Sequence, residues 1–61
     1  MNRIAELRAE YERQTEQAAE YERRARMSTI PAQAEALREF ARMMRRYAEV
    51  TASELGRAVR S

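Results

Sequence analysis

The sequence predicts an all-α fold, a two-helix antiparallel hairpin that dimerises into a four-helix bundle, and three observations predict it. Two long stretches rich in Ala, Glu and Arg carry apolar residues at alternating three- and four-residue spacing, with no strand-like alternation between them. A single corner, Ser28-Thr29-Ile30-Pro31, separates the two stretches. The chain has 61 residues and contains neither Cys nor His. A domain this short buries little core, so it needs a disulfide, a metal or a second copy of itself, and only the last is open to it. The whole chain, 1–61, therefore reads as one helical-hairpin domain. Helix 1 is expected over about 2–27, the corner over 28–30 and helix 2 over about 30–60.

In helix 1 the residues Ile4, Leu7, Tyr11, Gln14, Ala18, Tyr21, Ala25 and Ser28 form an unbroken heptad seam. Gln14 is its one clearly polar member before the corner. The segment Ala9-Glu10-Tyr11-Glu12-Arg13 recurs as Ala19-Glu20-Tyr21-Glu22-Arg23. A ten-residue echo moves Tyr from one seam position to the other and is read as helical patterning, not as a repeat architecture. Glu12, Glu16 and Glu20 make a like-charge ladder, relieved in part by Arg13, Arg23 and Arg24. It reads as a solvated face, or as an acidic stripe that meets a basic one elsewhere.

At the corner, Ser and Thr are good N-cap types because their oxygens accept from an orphan amide of the first turn. Pro31 fits the first helical position, where a missing N–H costs nothing. Thr29 is the expected cap of helix 2.

Helix 2 has a wider apolar face. Leu37, Phe40, Met44, Tyr47 and Thr51 continue a seam from Ile30, while Ala34, Ala41, Ala48 and Leu55 run beside it at seven-residue spacing. Ala36, Met43 and Val50 form a third line on the other flank. Adjoining stripes of this kind belong to a helix inside a bundle, and small residues every seventh position let a neighbouring helix approach closely. With the helices folded back at the corner, Phe40 is expected opposite Ala18 and Tyr47 opposite Tyr11. The expected core and dimer residues are Leu37, Phe40, Ala41, Met44, Tyr47, Ala48 and Leu55. Gly56 is expected to loosen the last turns.

The inventory limits the chemistry. Arg supplies all twelve positive charges and Glu all ten negative ones. Without Cys, His or Asp there is no ordinary zinc set, no nucleophilic triad and no imidazole acid/base pair, and one glycine cannot make a phosphate-binding loop. No enzyme, no metal and no cofactor are expected. No apolar run is long enough to span a membrane, so a cytoplasmic protein without a membrane role is expected.

The suggestive local feature is Arg38, Arg42, Arg45 and Arg46 on the outward side of helix 2, with Met43 as an adaptable apolar neighbour. Guanidinium forks suit carboxylates and phosphates alike. Glu35, Glu39 and Glu49 dilute the positive field that phosphate binding requires. The expected function is a non-enzymatic protein–protein interaction module. It would act as a small dimeric adaptor or inhibitor of bacterial or phage type, partnered by itself and by another protein through Arg38, Arg42, Met43, Arg45 and Arg46. The alternatives are a nucleic-acid-binding regulator using the same arginines, and a structural assembly unit. The inferred architecture and length resemble small RNA-regulating helical-hairpin dimers such as Rop, a likeness of fold that no motif residue carries.

Overall fold

The structure, a computed structural model, describes residues 2–61. It contains two helices, α1 (Arg3–Met27) and α2 (Pro31–Arg60), packed against each other, and no strand among the described residues. The hairpin is about 47 Å long and 15 by 12 Å across.

Each boundary has a local cause. Asn2 is in an extended conformation and its Oδ1 accepts from the Ile4 and Ala5 amides at 3.0 and 3.4 Å, satisfying two orphan donors of α1. The helix ends where Ser28 turns extended, its N–H donating to the Ala25 carbonyl at 3.3 Å. Ile30 is extended as well, as the residue before a proline must be, and Pro31 opens α2. No described residue has a positive φ, so the corner is made without glycine.

The expected cap on Thr29 is not there. Ile30 occupies the N-cap position of α2 and makes no side-chain cap bond. The corner is held instead by Ser28, whose Oγ accepts from the Ile30 amide at 3.3 Å and lies 3.3 Å from Gln33 Oε1. The cap position falls one residue later than the sequence suggests because Pro31 fixes where α2 begins. At its far end α2 continues through Gly56 to Arg60 and closes with the Ser61 amide donating to the Arg57 carbonyl at 3.1 Å. The helix is unbroken at Gly56, and Leu55, Gly56 and Ala58 are all partly covered.

The interface is made of small residues. Ala34, Ala41 and Ala48 of α2 are buried against a line from α1 that includes Leu7, Ala18 and Ala25, and Thr51 is the one buried polar residue among those described. Among the described residues, Leu7, 2% exposed, is the one large side chain fully enclosed. Alanine on both sides lets the two backbones approach closely, and this sets the rotation of α2 about its axis. The seven-residue alanine line faces α1, with Leu37, Met44 and Leu55 half-buried beside it.

The larger side chains are turned aside. Phe40 is 46% exposed and Tyr47 51%, so neither sits in the hairpin core. Phe40 stacks obliquely on Tyr21, ring centroids 5.5 Å apart, instead of lying over Ala18 in an enclosed layer. Tyr47 shares a hollow with Gln14, while Tyr11 lies with Ala48 and Ala52 on the opposite side of the hairpin. The register is within a turn of the expected one, but α2 is rotated toward its alanines.

Candidate protein-interaction surfaces

The rotation of α2 leaves a stripe uncovered. Ala36, Phe40, Met43, Tyr47 and Val50 alternate at four and three residues, so they lie in one line along one side of α2. Met43 is 42% exposed and Val50 58%. On α1 this line is bordered by Tyr21 and by Gln14, whose Oε1 is enclosed without a hydrogen-bond partner. By sequence spacing Phe40 and Tyr47 belong to the seam, and Met43 and Val50 to a separate flank line. The structure joins them into one surface. The signal was present, since these residues keep heptad spacing of their own.

The opposite face is charged. Arg38, Arg42, Arg45 and Arg46 line a shallow hollow of about 400 Å³, so the structure brings these four together, but Met43 is not part of it. Three of the four are held by carboxylates of the same chain. Arg38 Nη2 donates to Glu35 Oε2 at 3.0 Å. Arg42 pairs with Glu39 and lies 3.6 Å from Glu35. Arg45 reaches across to α1 and grips Glu22 with two parallel bonds of 2.9 and 2.7 Å. Arg46 makes no ion pair among the described residues. Four arginines thus stand beside four glutamates, Glu22, Glu35, Glu39 and Glu49, and the local charge is balanced.

Hydrogen bonding from Arg45 holds the Glu22 carboxyl below its usual range, and Glu22 in turn raises Arg45. Arg42 is raised in the same way by Glu39. These pairs are solvated, so their net worth is small, but the Glu22–Arg45 fork joins the two helices and fixes orientation. A second cross-helix pair, Arg3 to Glu54 at 3.0 Å, joins the open end of the hairpin. Glu22 was not singled out in the sequence; its place next to the seam residue Tyr21 was the available signal.

In the acidic ladder of α1, Glu20 is drawn into bonds with Arg23 and Arg24, which lower its pKa, the Arg23 hydrogen bond contributing most. Glu12 and Glu16 make no ion pair among the described residues. No group of three metal-ligating side chains occurs among the described residues. Among the described residues, no helix is long and apolar enough to cross a membrane.

Fold and surfaces together define an all-helical hairpin with one apolar and one charge-balanced face. Comparison with protein-family models, with curated proteins and with solved structures returned no match.

Proposed function

We propose that this chain is a non-enzymatic protein–protein interaction module that works as a homodimer in the cytoplasm, a small adaptor or inhibitor of the bacterial or phage type. Two hairpins bring their uncovered α2 stripes together and complete an antiparallel four-helix bundle. The observation that carries this reading is the continuous stripe of Phe40, Met43, Tyr47 and Val50, about half exposed along the middle of α2. Large apolar side chains in an unbroken line are what a protein partner covers, whereas scattered ones need no partner. A second hairpin would bury them in a bundle core of ordinary type. The hollow around Arg38, Arg42 and Arg45 then remains outward, and its guanidinium groups suit an acidic segment of another protein.

The charge balance of that hollow disfavours the nucleic-acid reading, since phosphate affinity comes from a net positive field and released counterions. Sedimentation equilibrium at micromolar concentration should give twice the chain mass. A compact monomer throughout that range would overturn the reading. Retention of RNA or DNA that falls steeply with salt would replace it with the regulator.

A further inference from the structure

The uncovered stripe has one open flank. Along α2, the line Ala36, Phe40, Met43, Tyr47, Val50 is bordered on its inner side by Leu37, Met44 and Thr51, which are wholly or partly covered by α1. On its outer side lie Glu39 and Arg46, one acid and one base seven residues apart. A helix laid parallel on this stripe would set each outer flank against the partner's inner flank, where α1 of the partner already sits. An antiparallel helix sets outer flank against outer flank, and inner against inner.

We infer that a second copy of this chain docks α2 against α2, antiparallel, in the register that places Glu39 beside the partner's Arg46. This rests on the dimer proposed above and specifies it. Two heptad registers overlap the two stripes near their middle; a third, off-centre, would oppose Glu39 to the partner's Glu39. Of the central two, one opposes Arg46 to the partner's Arg46 and sets Ala36 against the partner's Glu54. The other forms the Glu39–Arg46 pair twice, once on each side of the two-fold axis. It places Phe40 beside the partner's Met43 and the small Ala36 against the partner's large Tyr47. Charge selects the second: the first pairs Phe40 with the partner's Val50 and Met43 with the partner's Tyr47 but stacks arginine on arginine, whereas the second sets Val50 against the partner's Gln33 and relieves both charges. It also gives Arg46, which makes no ion pair among the described residues, a share of the Glu39 carboxylate that Arg42 holds from the other side. The contact is isologous, so it closes at two copies and does not propagate into a filament.

The test is a charge exchange. Glu39→Arg and Arg46→Glu should each weaken self-association by about tenfold or more, because each sets like charges together twice. Mixed one to one, the two variants should form a heterodimer with wild-type affinity, visible by native mass spectrometry, and the double variant should dimerise like wild type. Circular dichroism of each variant checks that the helices persist. If both single variants self-associate as tightly as wild type, the register is refuted while the dimer stands. Self-crosslinking of Arg46→Cys on oxidation would assign the rival register. A monomeric wild type would refute the dimer itself.

Discussion

Replacing Phe40 by Ala separates what one hairpin does for this ring from what a second hairpin does. Truncating a fully buried Phe costs about 3–5 kcal/mol. In the single hairpin Phe40 is 46% exposed, so roughly half of that range applies, about 2 kcal/mol. Loss of the tilted pair with Tyr21, at 5.5 Å, adds about 0.5–1.5 kcal/mol. If a second hairpin encloses the ring, as proposed, the full 3–5 kcal/mol per chain is lost together with the drive to dimerise.

Urea unfolding at two protein concentrations about a hundredfold apart distinguishes these cases, because dimer stability shifts by about 2.7 kcal/mol over that range and monomer stability does not. Wild type should show the shift. Phe40→Ala should lose both stability and concentration dependence. A loss near 4 kcal/mol from a protein with no concentration dependence would mean that the ring is buried within one hairpin, against the packing described here. A loss below about 1 kcal/mol would mean that the stripe packs against nothing, and the dimer argument would fall with it.

Three further outcomes are expected. At the corner, Ser28→Ala should cost about 0.5–1.5 kcal/mol, because its Oγ accepts from the Ile30 amide, whereas Thr29→Ala should stay within about 0.5 kcal/mol; chemical denaturation giving the reverse order would restore the cap to Thr29. Gly56→Ala should raise stability by about 0.5–1 kcal/mol, since an added Cβ meets only the Arg60 side chain at 3.7 Å and no positive φ is lost; a lowered thermal midpoint would refute this. The depressed pKa of Glu22 makes its contribution to stability present above the unfolded carboxylate pKa and lost as pH falls through the lower folded value. Melting curves of wild type and Glu22→Gln should therefore differ at neutral pH and converge in acid. A constant difference across that range would show that the fork with Arg45 contributes nothing through charge.

The sequence alone specifies the two helices, the corner and the hairpin. Local rules suffice there: apolar spacing of three and four, a proline that only a first turn tolerates, and no strand pattern anywhere. It also showed that Arg38, Arg42, Arg45 and Arg46 share one side of α2, because that follows from helical geometry alone.

Which apolar line of α2 faces α1 is settled by packing between the helices. The seam with Phe40 and Tyr47 carries more apolar surface, and the alanine line beside it allows closer approach. The alanine line is the one buried, meeting Ala18 and Ala25 across the interface. The same rotation set Arg45 against Glu22, 23 positions away in the chain, so that the pair ties the two helices together. No local rule reaches that choice. It depends on the fit of two surfaces that become neighbours only after the chain has turned back on itself at Ser28 to Pro31, and a helix with several adjoining apolar lines can bury only one of them against a single partner.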